Sequence, residues 1–217
     1  MKYFDKEFID FFSELEKNNT KDWFHNNKKR YEASVKKPMQ HFVADVLKEL
    51  QKLDAEIVIE PKKCIGRINR DIRFSKDKTP YKIRTFATIY KGDKINPLPV
   101  IAFQMGAKDL GIMSGFYNPS KERLLSIRNH IIKNTEVFQQ LYSAPDFVDK
   151  FGNIKGDALK RIPKEYQATF EKELLIANKQ FYYDKEMKSD ILLTDELLPL
   201  IIEYWKAAKP LNDFLSR

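Results

Sequence analysis

The apolar residues switch from helical to two-residue spacing near Arg84 and back again after Tyr117, and no other feature limits the fold as much. Arg84-Thr85-Phe86-Ala87-Thr88-Ile89-Tyr90 alternates as a half-buried strand does. Pro99 to Met105 and Leu110 to Tyr117 read as two further strands, separated by Gly106-Ala107-Lys108-Asp109. A parallel neighbour needs a crossover of a dozen or more residues, so connections this short predict antiparallel pairing.

Helical patterns flank that block. Phe8, Ile9, Phe11, Phe12 and Leu15 recur at helical spacing within 4–18, and Asn18-Asn19-Thr20 ends the run. Thr20 is suited to cap a second helix through Trp23, Phe24, Tyr31 and Val35, with Asp22 in its first turn. Pro38 lacks a backbone donor and should kink or restart it before Phe42, Val46, Leu47 and Leu50. Ile57-Val58-Ile59 is a short β-type run. Asn118 and Pro119 read as the cap and first residue of a helix over 119–133. A helical stretch ends at Leu174–Ala177, Gln180–Tyr183 suggests a late strand, and a last helix runs from Leu197 to Trp205 ahead of Pro210. Helices, then strands, then helices predict an α+β chain. The expectation is one domain over 1–217, an antiparallel sheet with helices packed on it.

Charge is distributed very unevenly. The 217 residues carry 39 Lys and Arg against 31 Asp and Glu, a net charge of +8. Residues 1–60 are nearly neutral at −1, and residues 95–217 at +1. Residues 61–94 hold 11 basic and 3 acidic side chains, so this stretch alone accounts for +8. A field of that kind draws anions. Lys62, Lys91 and Lys94 are read as solvated surface lysines, while the arginines ask for a more specific explanation.

The densest part is Arg67-Ile68-Asn69-Arg70-Asp71-Ile72-Arg73-Phe74-Ser75-Lys76-Asp77-Lys78-Thr79-Pro80-Tyr81-Lys82. It resembles the pattern R-I-x-R-D-x-R-F-S-x-D-K-x-P-Y-K of the conserved hypothetical proteins called domain of unknown function 2461. Asn18-Asn19-Thr20-Lys21-Asp22-Trp23-Phe24 upstream and Leu159-Lys160-Arg161-Ile162-Pro163 downstream carry further likeness, in the same order. One stretch departs: where members often have a tryptophan before the proline, this chain has Phe116-Tyr117-Asn118-Pro119. The resemblance implies a single α+β domain and no particular activity.

Physical chemistry gives the segment several uses. Arg67, Arg70 and Arg73 stand three apart, and on either a helix or a strand at least two guanidiniums should converge, suited to bidentate pairing with phosphate or carboxylate. Asp71 can orient an arginine as a fork-shaped pair, Ser75 can bond local backbone, and Asp77-Lys78-Thr79-Pro80 has turn chemistry. Phe74 and Tyr81 offer flat faces for stacking. The leading expectation is a phosphorylated or other anionic ligand bound by Arg67, Arg70, Asp71, Arg73, Ser75, Asp77, Lys78, Tyr81 and Lys82. The alternatives are a nucleic-acid-binding module on the same face, an enzyme acting on a phosphorylated substrate, and a structural ion network. In the network, Asp71 and Asp77 satisfy nearby arginines and lock the long loop to the domain, and Asp71 would be the costly residue to remove.

Other chemistries find no support in the sequence. His25, His41 and His130 are far apart and Cys64 is the only cysteine, so neither a multi-ligand metal site nor a disulfide framework is expected. The serine of Gly111-Ile112-Met113-Ser114-Gly115 falls one place late for a nucleophile elbow. Gly106 and Gly111 have phosphate-loop spacing, but Ile112 and Met113 stand where Lys and Ser or Thr are needed. Asp195-Glu196 reads as first-turn helix charge. No cofactor, membrane span or targeting segment is expected, and the cytoplasm is the expected compartment.

Overall fold

The computed structural model describes residues 1–92 and 97–217. Ten α-helices and four strands appear among them, in this order: α1 (Lys6–Lys17), α2 (Lys21–Asn26), α3 (Lys28–Tyr31), α4 (Lys37–Leu53), α5 (Pro61–Cys64), β1 (Arg84–Lys91), β2 (Leu98–Gly106), β3 (Asp109–Phe116), α6 (Lys121–Lys133), α7 (Thr135–Tyr142), α8 (Pro145–Phe151), α9 (Lys164–Phe170), β4 (Phe181–Lys188) and α10 (Leu197–Leu215). The strands form one antiparallel sheet in the order β1-β2-β3-β4, and the short connections account for its first three strands. The fold is α+β.

The chain divides into two compact units. The first gathers 1–92, 102–112 and 186–202, and its core is aromatic. Asp5 caps α1 by accepting from the Phe8 amide, which points Phe8, Phe11, Phe12 and Leu15 inward along one stripe. All four are fully buried, each burial stabilising by roughly 1.5–3 kcal/mol. Phe42 of α4 meets Phe103 of β2 edge-on, with centroids 5.3 Å apart. The second unit comprises 97–101, 113–185 and 203–217. Its centre is Tyr183, fully buried among Phe147 and Phe151, with a knot of neutral polar groups beside it.

Several expectations need correction. The second helical pattern is broken into α2 and α3, then a π-helical turn over Glu32–Lys36. The restart expected at Pro38 is there: α4 begins at Lys37, directly out of that π-helical turn, with Pro38 in its first turn. Ile57-Val58-Ile59 forms no strand: Ile57 is buried, but Val58 is 85% exposed and no partner strand pairs with it. Ser120, not Asn118, caps α6, accepting from the Arg123 amide, so that helix starts two residues late. The last helix runs through Pro210 to Leu215. Beyond the proline, Asn212, buried, donates to the Val100 carbonyl and Ser114 Oγ and accepts from Tyr183 Oη, and these bonds hold the final turns. Lys91 is not a solvated lysine: its ammonium meets Asp54 at 3.0 Å and Glu56 at 3.1 Å. Lys94 lies outside the described residues.

Candidate functional site

The basic segment folds as a narrow two-armed ribbon lying wholly within the first unit. Its base is fixed by the Gly66 amide donating to the Phe86 carbonyl at 3.0 Å and by an antiparallel bridge between Ile65 and Ala87. A Cβ at Gly66 would come within 1.9 Å of the Phe86 ring, so any side chain there would have to displace that ring. Farther out, Asn69 bridges to Tyr81, the Arg70 amide donates to the Pro80 carbonyl at 2.9 Å, and the Lys82 amide donates to the Ile68 carbonyl at 2.9 Å. The first arm therefore covers part of β1, an edge strand otherwise open to pairing.

One side chain joins the ribbon to the helical layer. Asn19, 62 residues from Tyr81, donates Nδ2–H to the Tyr81 carbonyl at 2.9 Å and accepts the Tyr81 amide at 3.0 Å. This reproduces the bonding of a strand partner with a single amide side chain. The Tyr81 ring then stacks on Phe24, with centroids 4.0 Å apart and planes 18° from parallel.

The tip, 71–79, is organised by charge. Arg70 donates to Asp77 Oδ2 at 2.5 Å, to the Thr79 carbonyl at 3.1 Å and to Thr79 Oγ1, and reaches Ser75 Oγ at 3.4 Å. Asp77 in turn accepts the Thr79 amide at 2.9 Å, the turn chemistry its sequence indicates. Those bonds hold its carboxyl below the ordinary range, the Thr79 amide contributing most and Arg70 next. Asp71 accepts Nε and Nη2 of Arg73 at 3.0 and 2.6 Å, the expected fork, which likewise lowers its carboxyl. Lys78 Nζ donates to the Ile72 carbonyl at 2.9 Å.

This arrangement redistributes the roles assigned from sequence. The arginines do not converge: Arg70 and Arg73 hold different carboxylates, and Arg67 is exposed. Ser75 serves as an acceptor for Arg70 rather than bonding its own backbone. Asp71 and Arg73 are both exposed, so the fork is a surface pair worth little, and Asp71 is not the costly member of a buried network.

At the root of the ribbon opens a cleft of about 580 Å³. Asn19, Arg70, Asp77, Thr79, Tyr81 and Lys82 line it, together with Arg84, Phe86 and Gln104. Arg67, Asp71, Arg73, Ser75 and Lys78 lie outside its lining. Lys82 Nζ rests 4.0 Å from the centroid of the Phe86 ring. No carboxylate stands within ion-pair distance of it among the described residues. Burial, and then the neighbouring Arg67 guanidinium, lower its pKa from the usual lysine value. Arg84, by contrast, pairs with the buried Asp109 and approaches Glu186 at 3.5 Å. The Gln104 side chain makes no hydrogen bond among the described residues and lies across Gly111, where a Cβ would stand 3.1 Å from its Nε2.

A model of one family, conserved hypothetical proteins sharing domain of unknown function 2461, matches residues 7–214. The chain belongs to this family. No curated protein and no solved structure matches it. In this family member the signature segment thus builds a ribbon whose tip is internally bonded and whose root is open. Three cleft residues, Arg84, Phe86 and Gln104, had no signal as site residues, although Gln104 stands out as a polar residue within an apolar strand. Asn19 lay in the upstream stretch of likeness without any assigned role. Among the described residues no three His, Cys, Asp or Glu groups gather as metal ligands, and no helix is long and apolar enough to cross a membrane. Cys64 is buried, which raises its thiol to about 11 and leaves it unreactive.

Proposed function

We propose that the cleft at the root of the ribbon binds the phosphate or other anionic group of a ligand. The carrying observation is Lys82, an ammonium turned onto a phenyl ring in a concave site, without a carboxylate partner among the described residues. An ion network accounts for Arg70, Arg73, Asp71 and Asp77, whose charges are matched within the ribbon. It leaves Lys82 unmatched. An anion would supply the missing charge, accept from the Lys82 ammonium and the Gln104 amide, and find Arg70 and Arg84 at the margin. Desolvation of Lys82 is then offset on binding, because the partially buried cation gains a charged acceptor. The cleft is the same one in which an enzyme acting on a phosphorylated substrate would hold it.

Thermal melts with inorganic phosphate test this against chloride at matched ionic strength. A ligand at ten times its Kd stabilises by about 1.4 kcal/mol, a rise of roughly 3–6 °C in a domain of this size. Lys82→Gln should abolish the phosphate-specific rise, and Arg73→Gln should leave it intact. Equal shifts in phosphate and chloride would remove the reading.

A further inference from the structure

We propose that the anion held by this site is the backbone of a single-stranded nucleic acid, one of whose bases stacks on Phe74. The proposal rests on the phosphate reading of the cleft and extends it to the tip of the ribbon. Phe74 is 95% exposed, yet both of its neighbours in the chain are bonded: Arg73 to Asp71, and Ser75 to Arg70. A phenyl ring is therefore displayed on an organised turn rather than on a loose end. The Arg73 guanidinium lies 5.8 Å from the ring centroid and the rest of the ring faces solvent. The ring adds nothing to the core, and unlike the other exposed apolar side chains it stands within the basic segment 67–82, against an arginine.

Charge decides the kind of partner. The segment 67–82 carries six basic residues against Asp71 and Asp77. Arg67 and Lys76 are exposed and have no ion-pair partner among the described residues, and Lys82 waits at the root. Ser75, next to Phe74, bonds the same Arg70 that lines the cleft, so the aromatic tip and the anion cleft are joined through one side chain. Unpaired cations in the same ribbon as an exposed ring suit a polyanion with flat faces, which is how proteins hold single strands without reading sequence. A duplex hides its base faces within the stack and offers the ring nothing. A bilayer would accept one phenyl ring and surface lysines but would leave the concave cleft without an occupant.

Fluorescence anisotropy with labelled oligo-dT and oligo-rU of twelve nucleotides, in low salt, tests the idea on the intact chain. Phe74→Ala should weaken binding about 5- to 150-fold, the loss expected for one stacked base. Phe74→Trp should retain it, and Phe74→Leu should not rescue it. Lys82→Gln should weaken it and flatten the salt dependence by roughly 0.7 in log–log slope, the share of one phosphate contact. The phosphate-specific melting shift should be the same in Phe74→Ala as in wild type. If that shift is present while Phe74→Ala binds oligonucleotide like wild type, the nucleic-acid proposal fails and the anion cleft stands. If wild type shows no phosphate shift, the cleft reading has failed. Binding to phosphatidylserine vesicles that Phe74→Leu preserves, with no affinity for either oligonucleotide, would assign the tip to a membrane and overturn the proposal.

Discussion

Two polar clusters, one in each unit, have opposite designs. In the second unit Asn212, Ser114, Tyr183 and the Val100 carbonyl form a buried knot of neutral groups: Tyr183 Oη donates to Asn212 Oδ1 at 2.5 Å, Asn212 Nδ2 donates to Val100 and Ser114, and Ser114 donates to Val100 at 2.9 Å. These side chains satisfy one another, and burial drives the Tyr183 hydroxyl far above its usual pKa. In the first unit the ribbon and its cleft are charged, partly exposed and only half closed. The tip arginines have their carboxylates, whereas Lys82 Nζ and the Gln104 side-chain amide have no hydrogen-bond or ion-pair partner among the described residues. A closed neutral knot holds structure in place. An open charged one is arranged to gain from a ligand.

The sharpest way to test the contrast is Asn212→Ala. It leaves three buried groups short of partners, and we expect a loss of roughly 2–4 kcal/mol in urea unfolding, with no effect on any phosphate-dependent shift in the first unit. A loss below about 0.5 kcal/mol would mean that the knot is not structural. Asn19→Ala comes next. Removing both bonds to Tyr81 should cost about 1–3 kcal/mol and also shrink the phosphate effect, because the clamp sets the cleft wall. Preservation of the phosphate effect in this variant would uncouple the clamp from the site.

Acid should separate the tip from the root more gently. Asp71 and Asp77 have folded pKa values below their unfolded ones, so their contribution is present above about pH 4 and disappears as pH falls through the lowered values. Protection of the Thr79 amide against exchange, relative to the unfolded chain at the same pH, should therefore fall below pH 4 in wild type, and Asp77→Asn should already be less protected at pH 6. Lys82 responds at the other end of the scale. Its pKa is lowered, so the phosphate effect should fade with rising pH before ordinary lysines titrate near 10.4, and Lys82→Arg should extend it. The smallest effect is Asp71→Ala, an exposed pair, for which melting at pH 7 should not change measurably.

Local chemistry was what the sequence made legible. The two-residue period and the short connection at Gly106–Asp109 gave the antiparallel strands, and Asp71 with Arg73 and Asp77 with Thr79 are contacts two residues apart. Partners distant in sequence were not legible. Nothing near Tyr81 indicates that Asn19 would complete its hydrogen bonds; an arginine partner for Asp77 was expected in the ion network, but nothing near Arg70 indicates that Thr79 and Ser75 would turn toward it as well. Spacing placed three arginines together, but which carboxylate each one meets depends on how the tip turns. The same limit explains Ile57-Val58-Ile59, where β-propensity found no neighbouring strand, and Pro210, where bonds to Asn212 outweigh the usual helix break.

The most direct test of the cleft is crystallographic. Crystals grown with tungstate in place of phosphate would locate the anion by its anomalous scattering. The account predicts a peak within hydrogen-bonding distance of Lys82 Nζ and the Gln104 amide, lost in Lys82→Gln. Peaks only on the exposed Arg67, Arg73 or Lys76, with the cleft empty, would contradict it.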